Sequence, residues 1–256
     1  MKSADTADNM IDIAVFHIAE TTSTMVAARE LANKTPYGVV YADRQTAGKG
    51  RLPGRIWECP KGEGLLATFW FPTFFFKNYP PALVTGAVVF QALLQLIPPP
   101  VRAAHPLTIK WPNDILAEEK KLVGILCENT GTTILAGIGI NLAQKEFPGQ
   151  YRTVPTSLLL SYNVLVSQET MLQTIIDQFI AFQKQPESWF TVVNNNCAYK
   201  NEHIIFRRGT DTGTIISGIF KGIDRNGFLI LETEHGILTE ASGEIHATID
   251  PETIIE

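Results

Sequence analysis

A chain of 256 residues with 45% apolar content can bury a large core, and it suits one large domain plus a small one better than two equals. Its net charge of -5 and pI of about 5.6 argue against a protein that coats nucleic acid, which carries a basic excess. Three cysteines without CxxC spacing and five histidines without a metal-ligand cluster point to reduced thiols in a cytoplasmic protein. The N-terminal stretch MKSADTADNMIDIAVF has neither the basic start nor the apolar core of a signal peptide. Leu83 to Ile97, the longest apolar run, contains Thr85, Gln91 and Gln95 and falls short of the ~20 residues that a bilayer demands. A soluble protein is expected.

In chain order, Met1 to Asn9 is polar and expected to be loose, and Ile11 to Ile18 alternates as a strand does. ETTSTMVAARELANK follows, where Ser23 or a neighbouring threonine can cap a short helix carrying Met25, Ala28 and Leu31 at helical spacing. Those hydroxyls are either a plain cap or ligands for a carbonyl or carboxylate. Tyr37 to Asp43 reads as a buried strand that leads into QTAGKGRLPGRIW, Gln45 to Trp57. There Lys49, Arg51 and Arg55 sit among Gly48, Gly50 and Gly54, which let the backbone approach an anion and turn its N–H groups towards it. The lysine is not followed by Ser or Thr and no βαβ unit surrounds the loop, so neither common nucleotide motif applies. The competing reading is a solvated basic turn.

Gly64 to Phe71 is a second strand. Tyr79 to Ile97 is a helix with Leu83, Ala87, Phe90 and Leu94 on one face, stopped by Pro98 to Pro100. Leu107 to Trp111 is a short strand ending in the turn residues Pro112, Asn113 and Asp114. Ile115 to Leu116, Leu122 to Glu128 and Ile134 to Leu142 are further strands. Lys110 lies inside an apolar pattern and needs either a route to water or an anionic partner. Gly124, Gly137 and Gly139 fall in strand interiors, where glycine marks a bulge or the close approach of a ligand or another backbone.

Thr156 to Leu160 is a short apolar stretch, Ser167 caps a helix from Gln168 to Lys184, and Glu187 to Tyr199 is helical again. From Glu202 to His246, five short strands are separated by turns at Asp211 to Gly213, Arg225 to Gly227 and Glu234 to Gly236. Such spacing makes a small barrel or sandwich. The expected division is therefore 1–198 and 199–256.

Five ordered motifs spread over nearly the whole chain resemble those of the biotin protein ligases, which activate biotin with ATP and attach it to a lysine of carboxylase carrier domains. Ser23 to Met25 resembles the family's Ser-Thr-Asn segment, and Gly48 to Trp57 its GRGRxGRxW signature, with Gln45 just upstream. Lys110 to Asp114 is KWPND, Lys121 to Leu126 is KLVGIL, and Gly137 to Asn141 is GIGIN. The resemblance implies an α+β fold in which helices pack on a mixed, mostly antiparallel sheet, with a small SH3-like β domain at the C-terminus.

It also implies the roles. Lys110 and Arg51 are the catalytic pair, with Lys110 contacting both the biotin carboxylate and the phosphate. Ser23, Thr24, Met25, Gln45, Gly48, Lys49, Gly50, Arg51, Lys110, Gly124 and Gly137 bind biotin. Lys49, Arg51, Arg55, Trp57, Lys110, Asn113, Gly139 and Asn141 bind ATP, with Mg²⁺ near Asn141 through the phosphates. The partner implied is a biotin carboxyl carrier domain of acetyl-CoA carboxylase or another carboxylase, with no DNA and no membrane, and a homodimer is compatible. Three departures stand out: Met25 replaces an Asn, Lys49 replaces an Arg and so loses the bidentate fork, and Leu52 and Pro53 include one extra residue. The stretch before Ser23 is too short for the DNA-binding domain that some members carry. A lipoate or octanoate ligase or transferase of the same fold, and a non-catalytic biotin-binding paralogue, are the rival readings.

Overall fold

A computed structural model describes residues 11–52, 54–209 and 213–246. The segment Met1 to Asn9, Pro53 and most of the turn Asp211 to Gly213 lie outside the described residues. Strand β1 (Ala14–Thr21) pairs in parallel with β2 (Gly38–Gln45) across helix α1 (Thr24–Leu31). The strand starts three residues later than its alternation predicts, because the register begins at Ala14↔Gly38; Ile11 and Ile13 are buried ahead of it in the core.

Strand β3 (Gly64–Pro72) follows the basic loop. Helix α2 (Pro81–Leu96) ends before the prolines, as expected, but Pro99 then opens a new helix, α3 (Pro99–Ala104). Proline at a first helical position loses no hydrogen bond, so the same residues that stop one helix start the next. Strands β4 (Leu107–Lys110), β5 (Asp114–Ala117), β6 (Lys120–Asn129) and β7 (Thr133–Asn141) complete a seven-stranded sheet in the order β1-β2-β3-β7-β6-β5-β4. All its neighbours except β1 and β2 are antiparallel. This is the mixed, mostly antiparallel α+β architecture that the sequence implies.

The apolar stretch after Pro155 forms helix α4 (Leu158–Tyr162), because Ser157 caps it by accepting from Leu160 N at 3.2 Å. Helix α5 (Gln168–Lys184) is capped by Ser167, and α6 (Ser188–Asn195) is shorter than expected. Residues after α6 leave the helix to pair with β4: Asn196 O accepts from Ile109 N at 2.8 Å, and Ala198 N donates to Ile109 O at 2.9 Å. Strands β8 (His203–Arg208), β9 (Ile215–Ile223), β10 (Leu229–Thr233), β11 (Gly236–Glu240) and β12 (Gly243–His246) make an antiparallel sheet in the order β11-β10-β9-β8-β12.

Alternation along the strands sorts the large sheet into two faces. One face packs Phe69, Phe71 and Ile138 against α2 and α5, with Phe179 of α5 tilted against the strand phenylalanines. The other carries Val40, Trp70 and Leu135 under Met25 and Ala28 of α1. Beside that second cluster the register sets Gly124 opposite Gly139 and Leu126 opposite Gly137. A shallow floor is left there. No helix among the described residues is long and apolar enough to cross a membrane.

Candidate active site

The basic loop folds back on itself above this floor. Gly50 N donates to Arg55 O at 2.8 Å and Trp57 N to Gly48 O at 3.1 Å, and Lys49 bridges to Ile56. Trp57 is thereby laid across the strands. A Cβ at Gly139 would lie 2.4 Å from the indole, and one at Gly124 would lie 2.6 Å from it. Both are far inside contact distance, so only glycine on both strands admits the ring. Lys121 Nζ stands 5.7 Å from the ring centroid and 2.8 Å from Asp114 Oδ1. Met25 occupies the corresponding space at Gly137 with its thioether. The close neighbours at these three glycines are thus side chains of the chain itself.

Between loop and floor lies a cavity of about 60 Å³, whose walls include Ser23, Thr24, Gln45, Lys49, Gly50 and Arg51, with all three glycines. Ser23 is the cap of α1, its hydroxyl accepting from Met25 N at 3.3 Å. Gln45 Oε1 accepts from Thr24 N at 2.7 Å and from Thr24 Oγ1 at 3.0 Å, which sets the orientation of the amide. Buried Thr68 donates to the same threonine hydroxyl at 2.8 Å. Capping and lining the cavity are therefore compatible tasks for this segment.

A second cavity, of about 630 Å³, shares Gly50, Arg51, Trp57, Asn113 and Lys121 with the first. Lys110, Arg55 and Asn141 also line it. Lys110 ends β4 and is 8% exposed. Its burial lowers the ammonium pKa, an effect opposed by Asp114 and Glu244 and reinforced by Lys121 and Arg55. Asn113 is locked to β6, donating from Nδ2 to Ile125 O at 2.8 Å and accepting from Ile125 N at 2.9 Å through its own carbonyl. Asn141 donates from Nδ2 to Thr156 O at 2.8 Å. Of the residues singled out in the sequence, only Gly48 stands apart from both cavities, lining a groove on the outer side of the loop.

The C-terminal sheet closes the assembly. Glu244 of β12 accepts from Arg55 Nη1 and Nη2 at 2.8 and 2.9 Å and from Arg152 Nη1 at 3.0 Å, and Arg51 Nη2 donates to Gly243 O at 2.9 Å. Burial alone would raise the Glu244 pKa, but the bonds from Arg55 and the charges of Arg55, His246 and Arg152 hold it down at about 2. Because the folded value lies below the ordinary 4.5, these interactions stabilise the fold above that pH and fade as pH falls towards 2. Glu244→Gln should therefore cost roughly 1–3 kcal/mol near neutral pH. The gap between its urea midpoint and that of the parent protein should shrink steadily below pH 5.

Lys121, Arg152, Thr153 and Glu244 are absent from the residues nominated by sequence. Lys121 opens the KLVGIL motif, and a further signal points to Arg152 and Thr153. The connection between β7 and α4 is long and irregular, and structureless connections beyond about 12–15 residues are commonly functional. Glu244 has no such signal, lying in an ordinary short strand.

Residues 15–144 match the model of the biotin/lipoate A/B protein ligase family, and residues 201–246 match the biotin protein ligase C-terminal domain. The chain is 33% identical over 238 residues to the bifunctional ligase/repressor BirA of Bacillus spizizenii, covering 87% of this chain and 70% of that protein. It is 33% identical over 236 residues to the biotin–[acetyl-CoA-carboxylase] ligase of Paracoccus denitrificans, covering 86% of this chain and 94% of that one. Among solved structures, biotin protein ligase from Aquifex aeolicus in complex with biotin and ATP superposes with a TM-score of 0.78 at 28% identity, covering 91% of this chain and 97% of that one.

Proposed function

The chain belongs to the biotin/lipoate A/B protein ligase family, and from that premise we propose a division of labour for its residues as an ATP-dependent biotin protein ligase. It activates biotin as biotinyl-5′-AMP and passes the biotinyl group to a lysine of a biotin carboxyl carrier domain. The observation that carries this reading is the convergence of Lys110 and Arg51 on one cavity that joins the pocket beneath α1.

Biotin's carboxylate and the α-phosphate are both anionic, so the first step brings like charges together. A carboxylate oxygen attacks the α-phosphorus and pyrophosphate leaves. Lys110, Arg51 and Lys49 offset the charge that accumulates, and preorganised cations in a water-poor site do this best. In the second step the acceptor lysine's amine attacks the acyl carbon and AMP departs.

Ser23, Thr24 and Gln45 pair the polar atoms of the ureido ring, since a buried donor or acceptor left unpaired is costly. Gly124 and Gly137 border the biotin end together with Met25 and Gly50, while Gly48 shapes the loop through its carbonyl, which accepts from Trp57 N. Trp57, Asn113, Gly139 and Arg55 form the nucleotide side. Among the described residues no group of three or more His, Cys, Asp or Glu side chains could cage a metal. Mg²⁺ fits here as a companion of the triphosphate, neutralising its charge, with Asn141 as the oxygen donor on the cavity wall. We also assign residues 1–198 to the catalytic domain and 199–256 to the small β domain. The three unpaired cysteines support a cytoplasmic setting.

Mass spectrometry of the purified protein with ATP, Mg²⁺ and either biotin or lipoate tests the assignment. Biotinyl adenylate is expected; lipoyl adenylate alone would overturn it in favour of a lipoate ligase, and no adenylate at all would favour a non-catalytic binding protein. Gly139→Ala should push the Trp57 indole off the floor and raise the KM for ATP or biotin by tenfold or more, as expected of losing one to two well-made contacts worth about 1.4 kcal/mol each. Initial rates of pyrophosphate release measure it.

A further inference from the structure

Lys110 is useful only if its ammonium sits where two anions meet, and four rotatable bonds separate that ammonium from the strand. Among the described residues the ammonium makes a single hydrogen bond, to Thr153 Oγ1 at 3.2 Å. An ammonium has three donors. One hydroxyl thus leaves two N–H groups for a carboxylate and a phosphate.

Thr153 is itself held from both sides. On one side Arg152 is paired with Glu244 at 3.0 Å. On the other, Val154 O accepts from Lys121 N at 2.8 Å and Thr156 N donates to Lys121 O at 2.9 Å. Asn141 then fastens Thr156 O from β7. The irregular connection is therefore pinned to Lys121 of β6, and the residues on either side of Thr153 hold it in place beside Lys110. Thr153 and Lys110 line the same large cavity.

We propose that Thr153 is a positioning residue for the adenylation step, its hydroxyl oxygen holding the Lys110 ammonium so that two donors face the reacting carboxylate and phosphate. This rests on the reading of the chain as a biotin ligase. A hydrogen bond to a charged group is worth about 1.5–3 kcal/mol, so losing it should slow the step by roughly ten- to a hundredfold.

The test compares Thr153→Val, which keeps the shape and removes the acceptor, with Thr153→Ser, which keeps it. Pyrophosphate release is measured with biotin and ATP from neutral to alkaline pH, after thermal melting confirms that both variants are folded. The charged groups around Lys110 are Asp114 of β5, Lys121 of β6, Arg55 of the loop, and Glu244 and His246 of β12. None of them is altered. Thr153→Val should lower kcat by at least tenfold with KM for both substrates within about threefold, and its alkaline limb should move to lower pH, because the ammonium has lost an acceptor. Thr153→Ser should restore both. A Val variant with the parent kcat and pH limb overturns the proposal, and so does a Ser variant as impaired as Val. A parent protein that forms no biotinyl adenylate would instead overturn the reading beneath it.

Discussion

Lys110→Ala should cut pyrophosphate release by about two to three orders of magnitude or more while the protein stays folded. The loss is expected to fall on the chemical step because the ammonium lines the cavity proposed for the carboxylate and phosphate and, among the described residues, carries no ion pair of its own. Burying a lysine with one hydroxyl partner is unfavourable in itself, so its removal relieves a desolvation cost. The melting temperature should accordingly hold or rise. Near-normal release in a folded Lys110→Ala protein would refute the catalytic assignment. The same burial gives a sign to the pH dependence: the folded pKa of Lys110 is lowered, so activity that needs the ammonium falls as pH rises through that lowered value.

Arg51→Gly separates making the adenylate from keeping it. Arg51 lines both cavities and reaches the C-terminal sheet through Gly243 O at 2.9 Å, so it links the proposed ligand cavity to that sheet. Without the guanidinium, Lys110 can still drive the first step, but the activated product loses charge-assisted bonds and part of its cover. Its release should quicken roughly ten- to a hundredfold. Biotinyl adenylate in solution acylates exposed lysines, so a bystander protein mixed with the variant, ATP and biotin should become labelled. A streptavidin blot of that bystander showing no more signal than with the parent protein would count against the clamp.

The helices that hold the site were legible because their signals are local. Ser23 and Ser167 stand at caps, and the apolar spacing of α2 and α5 marks the faces that pack on the sheet. The starts of β1 and α3 were not, because one depends on where its partner strand begins and the other on prolines that serve two helices at once. At the site, Lys110 betrayed itself as a charge in an apolar strand. The strand glycines were equally conspicuous, but their neighbours were not: the indole of Trp57 and the thioether of Met25 fill the space a ligand or backbone was expected to take.

What this sequence determined by itself is chemistry and family: motifs such as KWPND and GIGIN, in order, name the kind of site, because each is a short run whose residue types the reaction requires. What only the tertiary structure decided is how the cations are held. Arg55 and Glu244 are 189 positions apart, and Lys110 and Thr153 are 43 apart. No periodicity or composition relates residues at such separations. Arg55 meets Glu244 only where the C-terminal sheet packs on the basic loop, and Lys110 meets Thr153 only where the connection after β7 is pinned to β6.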